Sequence, residues 1–126
     1  MATHDERVEA NQAFADRMRS GVHNLTAPIE VHDDWVDWLQ ASAFDGVWAR
    51  PGLELRDRSI TTIAVLTALV LPVELASHVR LGLRNGLSRE EIAEVVMQVG
   101  VYAGVPSAVE GMRVAAEVFS DLDDGA

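Results

Sequence analysis

The stretch Pro72-Val73-Glu74-Leu75-Ala76-Ser77-His78-Val79-Arg80-Leu81-Gly82-Leu83-Arg84-Asn85-Gly86-Leu87-Ser88-Arg89-Glu90-Glu91-Ile92 decides the fold, because it carries a helix start, a helix stop and a second helix start in order. Pro72 suits the first position of a helix, where a missing N–H costs nothing. Glu74 suits the first turn, where its charge meets the positive end of the helix dipole. Asn85-Gly86 supplies a left-handed stop. Ser88, followed three residues later by Glu91, forms a capping box that opens another helix, predicted to run through about Ala103.

Working outward, Gly104 ends that helix. Pro106 and Ser107 begin the last one, predicted to reach about Phe119, with Asp121-Leu122-Asp123-Asp124-Gly125-Ala126 as a frayed acidic tail. Upstream, Asp57 sits in the first turn of a helix running to about Val70, which is apolar on nearly every side and is expected to be buried. Gly46 to Arg56 reads as an irregular connection, because Pro51-Gly52 is a turn pair and Pro51 biases Arg50 away from helical angles. A short helix is predicted from about Asp33 to Phe44, with Asp33 or Asp34 as its cap. Before it lies a loop from Gly21 to Val31 holding Asn24, Thr26 and Pro28. The first helix is predicted over 6–20, with Val8, Phe14, Ala15 and Met18 as its buried stripe. No segment shows a period of two between turn signals. The fold class is therefore all-α, about six helices in one domain over 1–126, with its core at about 33–120.

Composition narrows the functions open to these helices. The 126 residues are 48% apolar and carry a formal charge of -10. That charge opposes binding to nucleic acid or to an anionic membrane, both of which depend on clustered basic residues. Lysine is absent, so every basic side chain apart from histidine is Arg. Arg suits bidentate recognition of carboxylates, although a GC-rich coding bias also gives an all-Arg set. The chain has no cysteine, which removes disulfides, thiolate metal sites and thiol redox chemistry. The N-terminus carries Asp5 and Glu6 where a secretory leader needs a basic segment and an apolar run. The apolar stretch from Ile60 to Leu75 is too short and too polar to span a bilayer. A cytoplasmic protein is the expectation.

The chemistry-bearing pair is Glu74 and His78. Four residues apart on a helix, they face the same way and their side chains can meet. A carboxylate beside an imidazole sets its tautomer and raises its pKa, which suits proton transfer; Glu74 also suits the dipole, and a histidine among apolar neighbours also serves in a core. Arg50, before a Pro-Gly turn, is either a solvated loop residue or part of a site completed by that loop. Arg58 in a first turn opposes the dipole and calls for a carboxylate such as Asp57 or Glu54. Trp35, Trp38 and Trp48 read as core or interface anchors before ligand contacts. His23 and His32, with Asp33 and Asp34, fit no common metal-ligand spacing, so no metal site is assigned.

The ordered set Val47-Trp48-Ala49-Arg50-Pro51-Gly52-Leu53, Arg58-Ser59, Glu74-Leu75-x-x-His78-Val79-Arg80, Asn85-Gly86-Leu87, Glu91-Ile92, Glu94-Val95 and Tyr102-x-Gly104-Val105-Pro106 resembles the carboxymuconolactone decarboxylase family of the AhpD-like superfamily. The likeness runs from about Arg7 to Phe119. It implies the AhpD-like helical fold and a homo-oligomeric ring, a hexamer or a trimer. The superfamily's peroxidase branch carries Cys-x-x-Cys-x-x-x-His, which would put cysteines at Leu71 and Glu74; their absence removes the thiolate that such chemistry needs.

The resemblance further implies decarboxylation, without a cofactor, of 4-carboxymuconolactone (γ-carboxymuconolactone) to β-ketoadipate enol-lactone in protocatechuate breakdown. The small anionic lactone is then the partner. It implies His78 as proton donor, Glu74 as the group that orients and charges it, Arg50 or Arg80 as carboxylate or lactone anchors, Trp48 as an apolar wall and Tyr102 as an additional donor. Leu81, Gly82, Arg84 and the junction Leu69-Val70-Leu71-Pro72 depart from the family pattern beside the pair. Those departures leave open a related decarboxylase or isomerase acting on another anionic lactone or keto acid. A noncatalytic oligomeric ligand-binding protein on the same scaffold is the other alternative.

Overall fold

The computed structural model describes residues 27–125, together with Thr3, Asp5, Glu6, Glu9 and Gln12. Helices and turns account for these residues, and no strand occurs among them. The chain is all-α. Contacts divide it into two compact units, Met1–Leu55 and Arg56–Ala126.

In the first unit, a 3-10 turn over Ile29–Val31 leads into α1, His32–Leu39. Asp33 and Asp34 lie in the first turn of α1, where they complement the dipole, but neither caps it. The N-cap is Val31, because the chain enters from the 3-10 turn and leaves no half-in position for an aspartate. Nor does the helix stop at Phe44. It continues without a break as a π-helix, Gln40–Trp48, burying Phe44 and Trp48. Gly46 reads as a breaker and acts otherwise: a Cβ there would lie 2.9 Å from the carbonyl oxygen of Ala41, a close approach that only glycine permits. The connection is therefore shorter than expected, running from Ala49 to Glu54. Near the N-terminus, Thr3 accepts from the Glu6 amide at 3.2 Å and donates its own amide to the Glu6 carboxylate at 2.7 Å. This reciprocal pair is a capping box, and the helix it opens includes Asp5, ahead of the predicted start at Glu6. Val8, Phe14, Ala15 and Met18, and Asn24 and Thr26 of the expected loop, lie outside the described residues.

The second unit consists of α2 (Leu55–Ala68), α3 (Pro72–Arg84), α4 (Arg89–Ala103) and α5 (Val105–Asp123). Its core joins Ile63 of α2, Leu75 and Val79 of α3, Leu87, Ile92 of α4, and Val114, Ala115 and Val118 of α5. Each Val, Leu or Ile among them, fully buried, contributes about 1.5–3 kcal/mol. Close packing of α2 on α5 depends on Gly111, where a Cβ would stand 2.8 Å from Thr67 Cγ2 and 3.0 Å from Val96 Cγ1. The expectation that α2 is buried all round fails. Only Ser59, Ile63 and Thr67 are buried, while Val65 and Leu69 are exposed, because α2 turns a single stripe toward the core.

Two helix junctions flank α3, and they share one hydrogen-bond pattern. After α3, the Gly86 amide donates to Leu83 at 3.2 Å and the Leu87 amide to Gly82 at 2.9 Å. After α2, the Val70 amide donates to Thr67 at 3.1 Å and the Leu71 amide to Leu66 at 3.0 Å. Both are Schellman closures, which require a left-handed residue at the turn. At the later junction that residue is Gly86, with φ 98°. At the earlier one it is Val70, with φ 56°, the sole non-glycine at positive φ among the described residues. A left-handed β-branched residue costs about 1–2 kcal/mol.

The last helix outruns its predicted end. α5 continues to Asp123, and the acidic residues expected to fray are held: Asp123 pairs with Arg89 at 2.7 Å and 3.1 Å, and Asp121 with Arg80 at 3.7 Å. Arg89 also stacks over the Phe119 ring at 5.0 Å. These cations offset the repulsion between aspartates and the negative end of the helix.

Candidate active site

Helix α3 sets the position of both chemical residues. Leu71 is its N-cap and Pro72 follows, which makes Glu74 the third residue of the helix. Glu91 holds the same position in α4, and there it is fully committed: it accepts the Ser88 amide at 3.0 Å while its own amide donates to Ser88 Oγ at 3.0 Å. Arg56 binds the same carboxylate. The Ser88 amide first, then Arg56, holds the Glu91 carboxyl below its ordinary range. Glu6 is engaged in the same way by Thr3.

Glu74 differs from both. Leucine at the N-cap offers no acceptor, and the Leu71 amide, which a glutamate at this position would otherwise take, is already given to Leu66. The Glu74 side chain is exposed and takes part in no hydrogen bond or ion pair among the described residues. One turn later His78 is half-buried and engaged by its surroundings. The pair therefore shares a helix face without a hydrogen bond between its members, and Glu74 is left available to a ligand or to an incoming proton.

The other residues fall in different places. At 100° per residue, Arg80 lies about 200° round the helix from His78, which turns it to the opposite flank. There it meets Asp121. Tyr102, at the end of α4, is 82% exposed and lies on the rim of an open groove of about 410 Å³. Ile60, Ala64, Val95 and Val99 give that groove an apolar floor, with Glu94 and Gln98 at its edge; neither Glu74 nor His78 lines it. Trp48 and Arg50 belong to the first unit: Trp48 is 8% exposed, and Arg50 is exposed just after the π-helix. Trp35 and Trp38 stack with ring centres 5.4 Å apart and remain largely at the surface, so they are not core residues of this chain. Among the described residues no group of three or more His, Asp or Glu is arranged to hold a metal ion.

The model of the carboxymuconolactone decarboxylase family matches residues 33–117. The chain belongs to that family. The match takes in most of α1, the π-helix and the helices of the second unit up to most of α5, so it covers Trp48, Arg50, Glu74, His78, Arg80 and Tyr102. The chain is 39% identical over 93 residues to the 4-carboxymuconolactone decarboxylase of Acinetobacter baylyi, an alignment covering 74% of this chain and 69% of that protein. It is 37% identical over 82 residues to the nitrosuccinic acid decarboxylase of Metarhizium robertsii, covering 65% of this chain and 57% of that protein. An uncharacterized 15.0 kDa protein of Paracoccus denitrificans is 28% identical over 102 residues, 79% of this chain and 69% of its own length. The chain thus spans less than two thirds of the fungal protein. Relatives named for decarboxylation make the chain a carboxy-lyase of this family, and without cysteine it is no thiol peroxidase.

Sequence reasoning located Glu74 and His78 but missed what sets Glu74 apart. The signal was present: Ser88 and Thr3 precede their glutamates by three residues, whereas Leu71 precedes Glu74.

Proposed function

We propose that the protein decarboxylates 4-carboxymuconolactone to β-ketoadipate enol-lactone, in the breakdown of protocatechuate, using Glu74 and His78. The observation that carries this reading is the uncommitted glutamate at the third position of α3, one turn from a half-buried histidine, in a member of a decarboxylase family.

The chemistry fits such a site. The bond from the lactone γ carbon to its carboxylate breaks, and carbon dioxide leaves. The electron pair forms the γ–β double bond and moves the ring electrons onto the lactone carbonyl oxygen. A proton then adds to the α carbon, and the double bond remains between γ and β. One proton is consumed, supplied by His78 and replaced from water, with Glu74 favouring the charged imidazole. The substrate holds its own electron sink, so this route has no step that a cofactor must supply. Arg50 or Arg80 is the carboxylate or lactone anchor in this reading, and the Arg80 guanidinium meets Asp121 at 3.7 Å. Trp48 as apolar wall and Tyr102 as additional donor complete the reading. The homo-oligomer belongs to it too, supported by Val101, Tyr102 and Val105, which are 78%, 82% and 66% exposed in the single chain.

The fungal relative favours a second reading. Nitrosuccinic acid is also a dicarboxylate whose decarboxylation leaves an electron pair on carbon, taken up by nitro oxygens where the lactone uses its carbonyl. The same acid–base pair serves either substrate. The test is carbon dioxide release from each compound by wild type and by His78→Ala. The first reading expects turnover of the lactone that falls by about 10²–10⁴ in the variant, with the helical fold intact. Turnover of nitrosuccinic acid alone selects the second reading, and an unimpaired variant removes His78 from the mechanism.

A further inference from the structure

We propose that Gln40, Asp45 and Gly46 are positioning residues, which hold the helix ahead of Arg50 in its π form and thereby fix the guanidinium that receives a substrate carboxylate. This rests on the reading above, with Arg50 as the carboxylate anchor.

Three features of the first unit link residues five apart. The Ala49 amide donates to the Phe44 carbonyl at 2.8 Å, the backbone bond of a π-turn. The Gln40 side-chain amide donates to Asp45 Oδ1 at 2.8 Å. At Gly46 the missing Cβ leaves room for the Ala41 carbonyl oxygen, 2.9 Å from where that atom would stand. On an α-helix, residues five apart point about 140° away from each other, so the Gln40–Asp45 bond has no α-helical counterpart. The side-chain pair therefore stabilises the wider turn over the ordinary one, and the glycine permits it.

Such turns are rare, and they concentrate at functional sites. This one runs for nine residues and ends at Trp48, two positions before Arg50. With one more residue in each turn, the residues leaving it are rotated by roughly half a circle from where an α-helix of the same length would put them. In that orientation Trp48 and Ala49 are buried, and Arg50 is exposed directly after them, its amide bound to the Val47 carbonyl at 3.0 Å. The backbone at Arg50 is thus tied down while the residue itself is exposed. A guanidinium grips a carboxylate through a planar fork of hydrogen bonds, which tolerates little misdirection. A substrate carrying carboxylates calls for such a cation, and one set by a helix is placed more firmly than one on a free loop.

The test measures kcat and KM on 4-carboxymuconolactone, with melting temperature, for wild type, Gly46→Ala, Asp45→Ala, Asp45→Asn, Arg50→Ala and the double variant Gly46→Ala with Arg50→Ala. Arg50→Ala should raise KM by about ten- to hundredfold, the size of a hydrogen bond to a charged group. Gly46→Ala and Asp45→Ala should raise it by about three- to tenfold with kcat nearly unchanged, since they weaken the same interaction without removing it. Asp45→Asn keeps an oxygen for the Gln40 amide and should match wild type. Because Gly46 acts through Arg50, the double variant should show the KM of Arg50→Ala alone. Additive effects of Gly46→Ala and Arg50→Ala, or an unchanged KM in Gly46→Ala and Asp45→Ala beside a raised one in Arg50→Ala, overturn the proposal and leave Arg50 as the anchor. If Gly46→Ala does not fold, the contrast between Asp45→Ala and Asp45→Asn decides in the same way. An unaltered KM in Arg50→Ala, or no turnover by wild type, overturns the reading of Arg50 and the proposal with it.

Discussion

The junctions on either side of α3 solve one problem in opposite ways. Between α3 and α4 every local rule is obeyed: Gly86 takes the left-handed position, Ser88 and Glu91 cap each other, and Arg56 secures the glutamate. Between α2 and α3 the rules are broken in succession, with valine in the left-handed position, leucine as cap and a glutamate bound to nothing in the described chain. Local sequence preference normally agrees with the fold, and departures concentrate where function requires them. The well-made junction is closed by its own hydrogen bonds, and the poorly made one leaves Glu74, one turn before His78, and the apolar Val70, Leu71 and Val73 exposed.

That contrast can be broken from the well-made side. Gly86→Val copies the strain of Val70 into the later junction and should destabilise the protein by about 1–2 kcal/mol in a urea titration, with decarboxylation unaffected in the folded enzyme. A cost near zero would mean that Val70 is not strained either. Ser88→Ala removes one half of the capping box and should cost about 1 kcal/mol, again sparing turnover. Finally, acid should weaken the well-made junction. The Ser88 amide and Arg56 hold Glu91 below its usual 4.5, and Arg89 holds Asp123 below its usual 3.8. A carboxyl with a lowered folded pKa adds stability that is complete above its unfolded value and is lost as pH falls through the folded one. Stability should therefore be level in these contributions above about pH 4.5 and fall below it, by a small amount that salt reduces because both groups lie at the surface. Glu91→Gln should flatten part of that fall, followed by the shift of thermal midpoint with pH.

Features set by near neighbours were legible from sequence: the Pro72 start, the Gly86 stop, the Ser88–Glu91 box and the Gly104 boundary all stand where a few adjacent residues dictate them. Features set by distant partners were not. Asp121 and Asp123 look like a disordered tail until Arg80 and Arg89, more than thirty residues earlier, hold them. Gly46 looks like a breaker until the π-helix brings its backbone to Ala41. Of the site, the spacing of Glu74 and His78 gave their shared face, but it also suggested a direct pair that does not form. Arg80 looked like a neighbour of the pair because it is near in sequence, whereas helical rotation turns it toward α5.

The most direct test compares the two glutamates in matched variants, Glu74→Gln and Glu91→Gln, each assayed for carbon dioxide release from 4-carboxymuconolactone and for thermal midpoint. Glu74→Gln should lose most of its turnover at an unchanged midpoint, and Glu91→Gln should melt earlier while keeping its turnover. Equal effects of the two substitutions on both measurements would contradict the division of labour between the junctions.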